Sequence, residues 1–283
     1  MKTILDVQKY WDSRPCNIRR SPAAVGSQQF FEDTERNKYF VEPHIPEFAE
    51  FEKWTDKKVL EIGCGIGIDT ANFVRFGADV TAIDLSQKSL DIADQRIHSL
   101  PWALHDAHLP KFRSGKACFW QANAEDFVLP VPRGHFDLVY AFGSIHHSPH
   151  PEDILDNARY FLKPGGTLKI MVYNKYSWKA LWILLKYGHG KFWRFRELIA
   201  KYSEAQTGCP ITHVFSPREL RAMLERNGFV VRKTYKDHIF PYDIEAYKQY
   251  RYERTWYWKL VPAPMFRWLE KHFGWHLMCE ATV

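Results

Sequence analysis

Seven residues, Glu61-Ile62-Gly63-Cys64-Gly65-Ile66-Gly67, constrain the fold of this 283-residue chain more than any other segment. They continue an apolar run that begins Lys58-Val59-Leu60. A short apolar run ending in glycines suits a strand buried in a parallel sheet. The glycines permit a tight turn and let the backbone approach a ligand where a side chain would clash. Such a ligand lies at the carboxyl ends of the strands, near the point where strand order reverses. The dinucleotide fingerprint needs glycine at its first, third and sixth positions. Here Ile68 takes the sixth, glycine falls at the fifth, and an acid, Glu61, stands two residues ahead of the loop.

The rest of the chain alternates in the same style. Residues 69–76 read as a helix with Ala71, Phe73 and Val74 inward, and Gly77 is placed to end it. A strand over 78–84 follows, then a helix capped by Ser86 that carries Leu90, Ala93 and Ile97 on one side. Further strands are expected at 117–122, 136–141, 167–173, 229–234 and 275–282. Helices are expected at 152–162, stopped by Pro164-Gly165-Gly166, and from Ser216-Pro217 to Asn227-Gly228. This alternation predicts an α/β fold, a mostly parallel sheet with helices on both faces. The first fifty residues read as irregular and partly helical, broken by Pro15, Pro22, Pro43 and Pro46. Two aromatic stretches interrupt the core and read as lids. The expected organisation is an N-terminal cap arm (1–50), core (51–174), first lid (175–214), core (215–239), second lid (240–273) and final strand (274–283).

Composition narrows the class. With 46% apolar and 25% charged residues the chain can bury a sizeable core. Cys16, Cys64, Cys118, Cys209 and Cys279 are scattered with no C-x-x-C pair, which predicts reduced thiols and no zinc cluster. No metal-ligand spacing is visible. The N-terminus lacks the apolar run of a signal peptide and no stretch is long enough to span a bilayer, so a cytoplasmic protein is expected. Seven basic residues and only Glu197 between positions 175 and 201 account for the whole formal charge of +6. The remainder is balanced, which argues against a nucleic-acid partner.

The stretch Val59-Leu60-Glu61-Ile62-Gly63-Cys64-Gly65-Ile66-Gly67 resembles the first motif of class I S-adenosylmethionine-dependent methyltransferases. Four other segments agree in order and spacing. Asp84 stands where that family accepts hydrogen bonds from both ribose hydroxyls, and Ala122-Asn123-Ala124-Glu125-Asp126 resembles its adenine-contacting turn, with Asn123 where aspartate is commoner. Residues 136–151 resemble the fourth strand and its loop, and 162–168 the turn into the fifth. The resemblance is strong over roughly 55–173 and extends over 215–283 by topology alone. It implies a Rossmann-like sheet of seven strands, the last antiparallel, and S-adenosyl-L-methionine as cofactor. It further implies that Gly63 and Gly65 contact the cofactor's amino-acid moiety while Glu61 positions the loop. Cys64, Gly67, Leu85, Ala124, Glu125 and Ala141 complete the candidate cofactor set.

The expected reaction is in-line displacement: an oxygen, nitrogen or sulfur of a small molecule attacks the sulfonium methyl from roughly 3 Å and S-adenosylhomocysteine departs. His146 and His147 are the candidate bases, because imidazole titrates near neutrality; the alternative is packing beside the cofactor. His213 and His238 are further candidates. In the arm, Tyr10, Trp11 and Arg19 could cover the cofactor or hold an acidic group, or merely dock with a solvated basic face. Tyr242 and Tyr250 stand for the aromatic second insertion, which could line an acceptor pocket, cage a cation or pack the cap. Three rival readings stand beside this one. A nicotinamide oxidoreductase is disfavoured by the glycine spacing. Nucleic-acid methylation is disfavoured because the Asn/Asp-Pro-Pro-Tyr/Phe motif is absent and Pro15-Cys16 precedes the loop. A non-catalytic S-adenosylmethionine-binding regulator would keep the loop and need no enclosed acceptor cavity.

Overall fold

The apolar runs become strands. A computed structural model describes residues 2–99, 115–203 and 208–283. Its strands are β1 (Lys58–Ile62), β2 (Asp79–Asp84), β3 (Lys116–Gln121), β4 (Phe136–Phe142), β5 (Leu162–Asn174), β6 (Val214–Phe215), β7 (Val230–Asp237) and β8 (His276–Thr282). They form one sheet in the order β3-β2-β1-β4-β5-β8-β7, with β6 on the end of β5. Every pairing is parallel except those of β8 with β5 and β7. The expected sheet is therefore present, with the two-residue β6 as an eighth strand. Strand order reverses between β1 and β4, which opens the crevice that ligands use in such sheets.

Side chains alternate across the sheet and supply two cores. Leu60, Ile62 and Val139 join Ile154, Leu155 and Leu224 on one face, while Val59, Val80 and Leu138 join Phe73, Trp54 and Ile183 on the other. Gly77 ends the helix Ile68–Arg75 at φ +88°, as expected.

Two expectations change. The helix Pro151–Phe161 passes directly into β5 at Leu162, so Pro164-Gly165-Gly166 lies inside the strand's span. Pairing with β4 jumps there from Phe136↔Leu162 to Leu138↔Thr167, so these residues bulge out of the ladder. The N-terminal fifty residues are also more regular than expected, with helices Ile4–Ser13, Gln28–Val41 and His44–Ala49. Pro15 and Pro22 fall between helices, Pro43 caps the third, and Pro46 sits in its first turn, where no intrahelical N–H is needed.

β7 is antiparallel to β8 and β8 to β5, so β5 and β7 run the same way. The segments after Asn174 and Asp237 therefore leave from the carboxyl edge, where the loop after β1 also lies. Residues 204–207 of the first stretch lie outside the described residues. Trp178 of one stretch meets Trp258 of the other at 5.5 Å between rings. Among the described residues, no helix is long and apolar enough to cross a membrane.

Candidate active site

The site is built on the turn after β1. Gly63 adopts φ +77°, and a Cβ added there would lie 2.3 Å from Ser144 Cβ in the loop after β4. Ser144 can approach so closely only because Gly63 has no side chain, and its hydroxyl donates to the Ile62 carbonyl at 2.7 Å. The Gly65 N–H donates to Asp84 Oδ2 at 2.8 Å, and the Ser86 N–H donates to Oδ1 at 2.8 Å. Two backbone donors thus hold the last residue of β2 against the glycine turn. Burial still pushes the Asp84 carboxyl above its ordinary value, against these hydrogen bonds.

An open cleft of about 800 Å³ lies over this turn. Gly63 and Gly65 form its floor. Asp84 and Leu85 line it from the end of β2, Asn123 and Ala124 from the end of β3, and Gly143, Ser144 and His147 from the loop after β4. Ile4, Val7 and Trp11 of the N-terminal helix roof it, with Cys16 beside them. The donor set suits a nucleoside bearing an amino acid. The lining offers a carboxylate, a carboxamide, apolar walls (Leu85, Ala124, Ile154) and the backbone of the glycine turn, whose Gly63 and Gly65 N–H groups are already given to the Ile83 carbonyl and Asp84.

A family model described as a methyltransferase domain matches residues 34–234. The chain belongs to the methyltransferase-domain family. S-adenosylmethionine is the cofactor of that family. The ubiquinone biosynthesis O-methyltransferase of Cupriavidus pinatubonensis is 34% identical over 119 residues, 42% of each chain. That of Shewanella pealeana is 28% identical over 180 residues, 56% of this chain and 70% of the other. The chain spans about half the length of most curated relatives it matches. Among solved structures, magnesium protoporphyrin IX methyltransferase from Synechocystis PCC 6803 with bound S-adenosylhomocysteine superposes with TM-score 0.58 at 14% identity, covering 99% of both chains. At that identity the likeness is one of fold.

Within this methyltransferase fold, the sequence-derived cofactor set divides in two. Gly63, Gly65, Asp84, Leu85, Asn123 and Ala124 line the cleft; Glu61, Cys64, Gly67, Glu125 and Ala141 stand behind its wall. Gly67 opens the helix Ile68–Arg75 at φ +73°, its Cα packed so that a Cβ would come 2.8 Å from Ala93 Cβ. Cys64 and Ala141 are buried in the two cores. Glu125 accepts from the Ser148 hydroxyl and, at 3.2 Å, from the His150 N–H, and so ties the turn after β3 to the loop after β4. Glu61 is buried beneath the loop and accepts from the Thr70 hydroxyl. Next to it Asp69 accepts from Lys38 Nζ at 2.6 Å, Tyr39 at 2.9 Å and Tyr140 at 3.1 Å.

Burial and the neighbouring Asp69 push Glu61 up to about 8. The folded protein therefore keeps a proton that the unfolded chain releases above about 4.5. Stability contributed by this proton is complete below that lower value and is lost as pH rises towards 8. Between pH 5.5 and 7.5 the Glu61 proton contributes a fall in stability of up to about 1.4 kcal/mol per pH unit, while His146 and His238, held below the usual histidine range, contribute a rise where the unfolded imidazoles protonate. Urea unfolding of wild type and Glu61→Gln should therefore show a slope that is more positive in the variant by up to that amount; equal slopes in the two proteins would remove Glu61 as a source.

The candidate bases separate as clearly. His147 lines the cleft, with its ring 5.4 Å from Trp11. Its Nδ1 lies 2.9 Å from the Ile211 carbonyl, which can only accept, so Nδ1 carries the proton and Nε2 the lone pair. His146 is fully buried behind it, its ring 3.9 Å from that of Tyr173. Burial and His147 hold it well below the usual histidine range, against a weaker opposing contact with the Met171 backbone. It does not reach the cleft. His213 is occupied with the Ser148 carbonyl at 3.1 Å, and burial pushes His238 down to about 3.

Of the expected acceptor contacts, only Trp11 lines the cleft. Tyr10 packs edge-on against Trp11, and Arg19 is exposed. Tyr242 stacks at 6.4 Å on Phe40 of the helix Gln28–Val41 within a ring cluster that includes Tyr247 and Tyr252. Tyr250 is half-buried at φ +61° and also away from the cleft. Phe40 gives Tyr242 and Tyr252 an apolar partner outside the cleft. Sequence reasoning missed Ile4 and Val7, although Ile4, Val7 and Trp11 stand at the 3–4 residue spacing of one helix face. It also missed Gly143, Ser144 and Phe142 in a segment it had matched to the family.

Proposed function

We propose that this chain is an S-adenosylmethionine-dependent methyltransferase that transfers the methyl group to an oxygen of a small molecule. The observation that carries the reading is the convergence on one cleft of the glycine turn, the backbone-held Asp84, Asn123 and a histidine with its basic nitrogen defined. That curated relatives are O-methyltransferases favours oxygen over nitrogen or sulfur. When bound, S-adenosylmethionine supplies an electrophilic methyl on a sulfonium. Asp84 holds a diol through its remaining lone pairs, and the helix Ile4–Ser13 excludes water above the cleft. His147 Nε2 takes the proton of the acceptor hydroxyl as the oxygen–methyl bond forms. The stretches 175–214 and 240–273, with the N-terminal helices, would form the cap on the acceptor side. Ordering of such a cap would exclude water before transfer.

A panel of phenols, catechols, amines and thiols, read by S-adenosylhomocysteine release, tests this. Turnover is expected with hydroxyl acceptors, and His147→Ala should lower it by about 10²–10⁴-fold while cofactor affinity changes only a few-fold. Turnover confined to amines or thiols would overturn the assignment to oxygen.

A further inference from the structure

Behind Phe142, one ring away from the cleft, four side chains converge that methyl transfer as described does not use. Glu42 follows the helix Gln28–Val41, His44 opens the next helix, His238 follows β7 and His276 opens β8. One donor atom each from Glu42, His238 and His276 lies within 4.8 Å of the others. His276 Nε2 is 3.7 Å from Glu42 Oε1, and the His238 and His276 rings stack with centroids 4.7 Å apart. The Phe142 ring, which borders the cleft, lies 5.6 Å from His276.

We propose that Glu42, His238 and His276 form a binding site for a divalent transition-metal ion. Two imidazoles and one carboxylate match the ligand preferences of zinc and its neighbours, and three protein ligands leave a position open. The surroundings orient each donor. His276 Nδ1 lies 2.8 Å from His44 Nε2, and His44 Nδ1 lies 4.0 Å from Asp237 Oδ1. At 4.0 Å the Asp237 carboxylate is an electrostatic neighbour of His44 and not its hydrogen-bond partner; with His44 Nε2 accepting, the His44–His276 hydrogen bond would hold His276 with Nδ1 protonated and Nε2 as donor, the support that metal-bound imidazoles usually have. Glu42 Oε2 accepts from Arg20 Nη2 at 2.5 Å, which leaves Oε1 as the ligand oxygen. Bonds of about 2.0–2.1 Å place tetrahedral donors roughly 3.3 Å apart. The Glu42–His276 pair at 3.7 Å is already near that separation, and rotation of the rings can close the rest. The rings of Phe142 and Tyr173 pack against these imidazoles, and the cations Arg20 and Lys179 face the cluster as well.

The test uses the untagged full chain, stripped with chelator and titrated with Co²⁺ alone, and does not depend on methyl transfer. One equivalent should bind, with visible d–d absorption that Zn²⁺ abolishes. Glu42→Gln, which keeps the side chain's shape and an acceptor for Arg20, and His238→Ala should each weaken binding at least tenfold. His44→Ala should weaken it about 10–100-fold through the supporting hydrogen bond. Absence of a saturable Co²⁺ spectrum in natively melting protein, or unchanged Co²⁺ affinity in natively melting Glu42→Gln and His238→Ala, would overturn the site.

Discussion

Gly63→Ala is expected to destabilise the protein by about 3–6 kcal/mol and to abolish measurable cofactor binding. Three costs combine. At φ +77° an L side chain is strained, at about 1–2 kcal/mol. The added methyl would lie 2.3 Å from Ser144 Cβ and 2.9 Å from its Oγ, so the loop after β4 must move. Overpacking of that kind costs about 1–3 kcal/mol. Displacing Ser144 also removes its 2.7 Å hydrogen bond to Ile62, worth about 1 kcal/mol. Gly165→Ala is the matched control. Its φ is +76°, but nothing lies within 4 Å of the added Cβ. It should therefore lose only the strain, about 1–2 kcal/mol. Urea midpoints for both variants test the comparison, and equal losses would show that Ser144 does not crowd the turn.

The glycine turn and the sheet around it were legible because their signals are local. An apolar run, three glycines that all take positive φ and a capping serine each act within a few residues. Strand parity separates the two acids. Glu61 and Asp84 both lie at carboxyl ends of strands, yet Glu61 alternates with Leu60 and Ile62 and points beneath the loop towards Thr70. Asp84 is the last residue of β2 and faces the cleft. The N-terminal roof was obscured because its prolines read as breaks, whereas they lie at helix boundaries or in a first turn. The aromatic second stretch was ambiguous in principle: composition cannot tell whether Tyr242 lines a cavity or meets Phe40. In the Glu42, His44, His238 and His276 cluster only Glu42 and His44 are near in sequence, and β7 and β8 bring the other two to them across some two hundred residues.

Asp84→Ala is the second substitution with a large expected effect, and it acts on binding. The carboxylate is fixed by N–H groups of Gly65 and Ser86, both at 2.8 Å, and lines the cleft with lone pairs to spare. A ribose diol would donate to it, and hydrogen bonds to a charged group contribute about 1.5–3 kcal/mol. Losing them should weaken affinity from about tenfold to over a hundredfold. The same change strips Gly65 of its acceptor, so a fall in melting temperature is expected as well, and affinity must be read well below the transition.

Calorimetric titration of S-adenosylhomocysteine and of NADH into the wild-type protein and Asp84→Ala tests the central assignment most directly. The wild type should bind S-adenosylhomocysteine at one site and give no saturable heat with NADH. Folded Asp84→Ala should bind the same ligand about tenfold to a hundredfold more weakly. Saturable NADH binding without S-adenosylhomocysteine binding, or equal affinity in the two proteins, would contradict a cofactor site built on Gly63, Gly65 and Asp84.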